Sequence, residues 1–354
     1  MENFFYQKLC VRPWDYIEIT ADGNVWPCCS SWLPNPLGNI LSDDLDNIYN
    51  SDSAKKIRKS IMDGSFEYCD KSKCQLIASN NLLNRKNEDQ VRYLHVDYGS
   101  DTVSGSPFFY NLCYDDSCNL ACPKCRKDFL SLSEGGLFEK RSTIHTRILS
   151  QLFKRPTKRY RRINISGSGD PFVSVLYMDM LKTIPWDLFP NTIIDFQTNG
   201  LLLTKSMWQM LIELNVRVGV VAISIDAASS EIYSLVRRGG NFEILMNNLR
   251  LVNSLREKNE ISYFRLDFVV QRSNYLEIPK FVSLMQLFPS VDRISFSLIA
   301  DWGSYALEDF YKEAIWNKNH PEHESFLKVL ESACFDDERV FLGNLSTYRL
   351  KNRR

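Results

Sequence analysis

No stretch of this 354-residue chain approaches the roughly 18 consecutive apolar residues that a membrane-spanning helix requires. Neither sign of charge is in excess. Lys and Arg number 43 and so do Asp and Glu, which removes the electrostatic case for nucleic acid or a membrane surface as partner. The opening residues, Met1 to Phe5, lack the pattern of a secretory signal. Low-complexity segments and short-period repeats are also missing. These absences lead to the expectation of a cytoplasmic protein. Hydrophobic and charged fractions of 44% and 24% are ordinary for a globular enzyme, and the length gives room for one large domain and one small one.

What the chain does contain is cysteine, ten in all. A reducing compartment makes these metal ligands rather than disulfides. They are grouped: Cys10, Cys28, Cys29, Cys69 and Cys74 come early, Cys113, Cys118, Cys122 and Cys125 centrally, and Cys334 alone near the end. Two groups suggest two metal centres. The central group includes Cys118-Asn119-Leu120-Ala121-Cys122-Pro123-Lys124-Cys125, a C-x3-C-x2-C loop directly after the apolar run Pro107 to Tyr114. Three thiolates on one short loop can hold three irons of a [4Fe-4S] cluster and leave the fourth open to a small molecule. Zinc, the alternative, prefers four ligands in paired C-x2-C knuckles.

From Phe108 onward, strands alternate with helices. The pattern predicts strands at Phe108–Tyr114, Arg162–Ser166, Thr192–Thr198, Val218–Ile225, Phe264–Gln271 and Arg293–Leu298. Helices are predicted at Ser142–Phe153, Ser206–Leu214, Phe242–Glu257 and Ile278–Leu287. Such alternation implies a parallel sheet, and six repeats suit a barrel or partial barrel. Parallel strands covered by helices should read as continuous apolar runs, yet polar residues recur at period two. They are Asn164 and Ser166; Asp195, Gln197 and Asn199; Ser224 and Asp226; Arg265 and Asp267; Ser295 and Ser297. Period two places each set on one face. With helices outside, that face lines a cavity whose carboxy-terminal rim carries chemistry; a half-exposed antiparallel sheet is the other reading.

Several strand ends carry motifs. Ser166-Gly167-Ser168-Gly169-Asp170-Pro171 combines glycines that permit close backbone approach with a carboxylate that can accept from an ammonium group. Gln197-Thr198-Asn199-Gly200, Ser224-Ile225-Asp226 and Arg237-Arg238-Gly239-Gly240 follow in order. The cysteine loop resembles the signature of radical S-adenosylmethionine (radical SAM) enzymes. The Ser166–Pro171 segment resembles their GGE-type motif, with Asp170 in place of Glu. The later three resemble the TNG, S-x-D and R-x-G elements of the branch that carries SPASM or twitch auxiliary domains. The resemblance runs from about Phe108 to Trp302. It implies a cluster on Cys118, Cys122 and Cys125 whose fourth iron takes SAM. It implies SAM contacts from Ser166, Gly167, Ser168, Gly169, Asp170, Thr198, Asn199, Ser224, Asp226 and Arg238. The family's aromatic residue beside the third cysteine is replaced by Lys124 and Arg126, and the Arg126 guanidinium is able to stack on adenine.

The amino-terminal cysteines show a second order. Tyr16–Thr20 and Asn24–Pro27 flank an Asp22-Gly23 turn and read as a β-hairpin. Gly38-Asn39 and a short basic helix, Ser51 to Met62, precede Cys69 and Cys74. This resembles a SPASM/twitch auxiliary-cluster domain, Gly23 to Cys28 reproducing its G-x4-C spacing, here placed before the barrel rather than after it. Five thiols for one four-ligand cluster leave one spare. Cys10, Cys28, Cys69 and Cys74 are the chosen ligands of a second [4Fe-4S] cluster, with Cys29 the alternative to Cys28 and zinc the alternative metal.

The expected architecture is α/β: a partial (β/α)6 radical SAM barrel with a small N-terminal cysteine-rich iron–sulfur domain. Residues 1–85 form the auxiliary domain, 86–106 a connector, 107–304 the barrel and 305–354 a helical tail. The resemblance implies reductive cleavage of SAM to a 5′-deoxyadenosyl radical that abstracts hydrogen from a substrate. That substrate is expected to be a ribosomally made peptide undergoing crosslinking, epimerisation or oxidation. A sugar or aminocyclitol undergoing dehydrogenation or epimerisation is a second reading, and a non-catalytic iron–sulfur or zinc scaffold a third. Flavodoxin or ferredoxin is the expected reductant, and the basic run Lys154 to Arg162 suits an acidic carrier or peptide. Cys113 reads as a core thiol. Cys334, near the end, is the candidate to return a hydrogen atom to a substrate radical; otherwise it is structural.

Overall fold

The computed structural model describes residues 7–71, 73–78, 80–85, 97–165 and 168–349. Ser166 and Gly167 lie outside the described residues. The chain divides into two compact units. One comprises Met1–Asp116, Leu132–Ser168 and Asp179–Ile193, and the other Ser117–Ser131, Gly169–Met178 and Ile194–Arg354.

In the first unit, strands β1 (Lys8–Leu9), β2 (Tyr16–Thr20), β3 (Asn24–Trp26), β4 (Gly38–Asn39), β5 (Leu83–Asn84), β6 (Phe109–Cys113) and β7 (Arg161–Ile165) appear in chain order. β1 and β5 form a two-stranded antiparallel sheet, and the others pair in the order β7-β6-β2-β3-β4. The hairpin β2–β3 forms as the sequence predicts. Gly23 sits at φ +86, a conformation that a Cβ would strain while approaching Asn39 Oδ1 to 2.9 Å. Asn39 closes the turn by donating to the Asp22 carbonyl and to Asn24 Oδ1. The Gly-Asn pair is therefore a device that fixes the hairpin. β2 also runs parallel to β6, Tyr16 opposite Phe109 and Thr20 opposite Cys113, so the hairpin continues the first barrel strand's sheet. Ile17, Ile19, Leu112, Ile163 and Ile165 form the buried face.

The basic helix spans Asp52–Met62, and the Ser51 hydroxyl accepts from Ala54 N as its N-cap. One of its cations is internal. Arg58 is fully buried and donates to the carbonyls of Pro13, Tyr49 and Asp101. These bonds tie the helix to the segment that carries Cys10.

The second unit contains β8 (Thr192–Thr198), β9 (Val218–Ser224), β10 (Tyr263–Val270), β11 (Arg293–Leu298) and β12 (Val340–Phe341), in the order β12-β11-β10-β9-β8. Every pair given by register is parallel, which sets aside the antiparallel reading. Helices Lys205–Glu213, Ser230–Val236, Phe242–Glu257 and Ile278–Met285 connect the strands. The alternation also holds. Phe264, Leu266 and Phe268 of β10 are buried completely, whereas Arg265 and Asp267 on the other face are only half-buried. Register brings Asp267 opposite Ser224 and Ser295, giving one polar row across three strands. The architecture is the expected α/β fold with parallel βα repeats.

A candidate iron–sulfur and S-adenosylmethionine site

The cysteine loop is built by turns. Cys125 and Arg126 both donate from the backbone to the Cys122 carbonyl, and Cys118 N donates to Leu130 O at 2.6 Å across an isolated bridge. Ala121 N donates to the Arg238 carbonyl. The three thiols differ in setting: Cys122 is buried, Cys118 half-buried and Cys125 exposed. Burial pushes the Cys118 thiol up to about 11, opposed by a backbone hydrogen bond at Leu120.

Asp226, at the end of β9, organises the surroundings of Cys122. It is 1% exposed and pairs with Lys124 Nζ and, at 2.7 Å, with Arg237 Nη2. Its second oxygen accepts from Val269 N at 2.7 Å. Burial opposes its charge, but Arg237 and Lys124 outweigh this and hold the carboxyl below the ordinary carboxylate range. Arg237 Nη1 lies 3.9 Å from Cys122 Sγ. Burial works against its charge too, yet Asp226 and the Cys122 thiol hold its pKa above the usual value.

The Gly-Ser-Gly-Asp segment is fixed from a different direction. Ser168 donates to the Cys113 carbonyl at 3.0 Å. Asp170 N donates to Ser117 O at 2.8 Å. Asp170 is fully buried and raised by that burial, although Thr198 and Asn199 oppose the shift. Its Oδ2 accepts from Thr198 Oγ1 at 2.7 Å and Asn199 N at 2.8 Å, while among the described residues Oδ1 takes only Phe172 N at 3.1 Å. Asn199 Nδ2 reaches Asn119 Oδ1 at 2.8 Å and Cys118 Sγ at 3.8 Å.

Thus Asp170, Thr198, Asn199 and Asp226 converge with the cysteine loop in one unit. Gly169 lies in that unit as well, immediately before Asp170. Ser224 stands half-buried in the polar row. Arg238 is exposed and its guanidinium contacts the Lys127 carbonyl. Cys334 sits in a 3-10 turn, Ala333–Asp336, interacting with Ser332, Asp336 and Arg349. Arg126 Nη2 lies 3.6 Å from Cys125 Sγ.

Sequence reasoning missed Lys124, Arg237 and Tyr233. The signal for Arg237 was its phase: it caps the helix Ser230–Val236 four residues after the buried Tyr233, its N–H donating to the Tyr233 carbonyl. Tyr233 Oη and Arg237 Nε are buried with no hydrogen-bond partner among the described residues. Both groups are coupled electrostatically to Cys122. Unsatisfied donors around a thiol loop suit a polar ligand, so the residues fit a cluster with a bound small molecule.

In the first unit Cys10, Cys28, Cys69 and Cys74 line one pocket. Among the described residues its wall is otherwise apolar apart from Arg12, and Cys29 does not line it. The thiols sense one another: Cys69 is pushed up to about 12 by burial, then by Cys10 and Cys74, and Cys28 is raised by burial and then by Cys10. Cys10 itself reaches about 11 through burial. Turns place them, Cys69 N donating to Phe66 O and Cys74 N to Asp70 O. No three Cys, His, Asp or Glu among the described residues gather closely enough to hold one metal ion. The four thiols share one pocket, and a four-thiol donor set fits an iron–sulfur cluster.

These features, a thiol loop among parallel βα repeats and a separate four-thiol pocket, define an iron–sulfur enzyme. A model of the radical SAM superfamily matches residues 116–265, and a model of the SPASM iron-sulfur cluster-binding domain matches residues 10–75. The chain belongs to the radical SAM superfamily and carries its SPASM domain amino-terminally. Its cofactors are a [4Fe-4S] cluster with SAM and a second, auxiliary cluster. No curated protein matches the chain. Solved structures that do include one described as native anSMEcpe with bound AdoMet, at 18% identity and a TM-score of 0.40. That match covers 55% of this chain and 51% of the other, so the chain spans about half the length of that relative. No helix among the described residues is long and apolar enough to cross a membrane.

Proposed function

We propose that this enzyme modifies a ribosomally made peptide, by crosslinking, epimerisation or oxidation at a C–H position. Cys118, Cys122 and Cys125 hold the SAM-binding cluster, and Cys10, Cys28, Cys69 and Cys74 the auxiliary one. Together the first cluster and SAM supply a 5′-deoxyadenosyl radical that takes a hydrogen atom from substrate.

The chain's own residues provide the rest. Asp226 fixes Lys124 and Arg237 around the Cys122 thiol. Asp170 keeps acceptor capacity on Oδ1 for the SAM ammonium group, while Thr198 and Asn199 set its position. Ser168, Gly169, Ser224 and Arg238 complete the SAM contacts in this reading, with Ser166 and Gly167. The observation that carries a peptide substrate is the row Ser224, Asp267 and Ser295 with Arg265 beside it, half-buried polar groups able to pair with amides. Arg265 Nε and Nη2 are bonded to Asp267 at 2.8 and 2.9 Å, which leaves Nη1 as donor and the carboxylate's remaining lone pairs as acceptors.

Flavodoxin or ferredoxin acts as reductant in a cytoplasmic setting, and residues 1–85, 107–304 and 305–354 act as auxiliary domain, barrel and tail around a connector at 86–106. The test is anaerobic. Protein reconstituted with iron and sulfide is given SAM and dithionite, and 5′-deoxyadenosine is quantified against a Cys118/Cys122/Cys125→Ala control. Nucleoside from the wild type alone is expected, and its absence from fully iron-loaded protein would overturn the catalytic assignment.

A further inference from the structure

Among the described residues lining the four-thiol pocket, Arg12 is the one that carries a charge. It opens the short helix Arg12–Asp15, where Pro13 fixes the first turn. Its guanidinium carbon stands 4.8 Å from the centroid of the Tyr16 ring, so the planar head is held by stacking. Among the described residues no carboxylate lies within ion-pair distance of it. Arg12 feels Cys10, Cys28 and Cys29 together. Arg12 is half-buried, and a cation partly withdrawn from water without an acidic partner favours an anion beside it.

We propose that Arg12 is the charge-compensating residue of the auxiliary centre, a fixed cation in the pocket wall that makes the cluster easier to reduce. The inference rests on the assignment of Cys10, Cys28, Cys69 and Cys74 as that cluster's ligands. A cluster with four thiolates is anionic, and taking up one electron from a reductant makes it more so, with no bond made or broken. A guanidinium nearby stabilises the reduced form more than the oxidised form, and net charge and hydrogen bonds to sulfur are the terms that set such potentials. Lysine would supply the charge as a point without the stacked fork. Arg12 therefore acts as a positioning residue, through the cluster environment.

The experiment uses the full chain with Cys118, Cys122 and Cys125 replaced by alanine, so that any remaining cluster is the auxiliary one. It is reconstituted anaerobically and titrated with dithionite under spectroscopic readout, alone and with Arg12→Gln, Arg12→Met or Arg12→Lys added. The neutral variants are expected to disfavour reduction at least tenfold, about 59 mV lower for a one-electron couple, and Arg12→Lys to stay near the parent. Loss of the cluster from both neutral variants while Arg12→Lys loads at the parent potential also supports a charge requirement. An unchanged potential in a loaded neutral variant, or loss of the cluster from all three, overturns the proposal and leaves the ligand assignment intact. A parent protein without any iron–sulfur signal overturns the ligand assignment and the proposal with it.

Discussion

Asp226 stands in the left-handed region at φ 65, where few side chains other than Asn and Asp sit comfortably. Asp226→Asn therefore keeps a tolerated backbone and removes only the charge. Two cations, Lys124 and Arg237, are then left buried without their anion. We expect a loss of about 3 kcal/mol, the usual cost of removing one partner of a buried pair, read as a lower urea midpoint of the metal-free protein. The sign with pH follows from the lowered carboxyl. Its contribution is present above the unfolded value, about 3.9, and fades as pH falls through the lower folded value, so wild type and variant should converge in acid. A second residue-scale prediction separates adjacent thiols. Cys28→Ala should lose about half the iron of a reconstituted chain, while Cys29→Ala retains it, because only Cys28 faces the pocket. The sequence could not separate Arg237 from Arg238, since adjacent arginines before two glycines look alike until the helix phase is known. It could separate the cysteines only by analogy, because pocket geometry depends on chain segments that are distant in sequence.

Elements with strong periodicity were legible almost to the residue. Thr192–Thr198, Arg293–Leu298 and Phe242–Glu257 form where the pattern places them. The helix predicted from Ser142 instead begins at Gly135, because Gly135 and Gly136 read as a break. A helix start tolerates them, as its first amides have no intrahelical partner anyway. The two-residue strands β4 and β12 are too short to carry a period and come from pairing alone. The basic run also changes on folding. Arg161 turns inward beneath Phe153 and Phe189, its guanidinium carbon 4.5 and 5.0 Å from their ring centroids. Lys154, Arg155 and Lys158 remain exposed. If these three dock an acidic reductant, replacing them with Glu should slow flavodoxin-driven deoxyadenosine formation several-fold and weaken its salt dependence. Dithionite-driven formation should be unchanged, and equal loss with both reductants would remove the docking role.

At the scale of the whole molecule, each donor set is contained within its own compact unit. Cys10, Cys28, Cys69 and Cys74 lie in the first, and Cys118, Cys122 and Cys125 with Asp170, Asp226 and Arg237 in the second. The class of fold was legible because six strand–helix repeats and two cysteine groups are local signals. The parallel pairing of β2 with β6 was not, because nothing in a hairpin's sequence announces a third strand beside it. Containment gives a prediction about separability. Full loading corresponds to about eight irons, two [4Fe-4S] clusters. Replacing the four early cysteines with alanine should leave about four, along with dithionite-driven cleavage of SAM, because the loop and its Asp226 network do not draw on those residues. Replacing the three loop cysteines should also leave about four irons but abolish deoxyadenosine. If removing the early set abolished deoxyadenosine with the loop cluster still loaded, the auxiliary centre would be part of the route by which electrons reach SAM. If it emptied both sites, the two units would depend on each other for folding. Iron analysis and nucleoside quantification on the same preparations distinguish these outcomes.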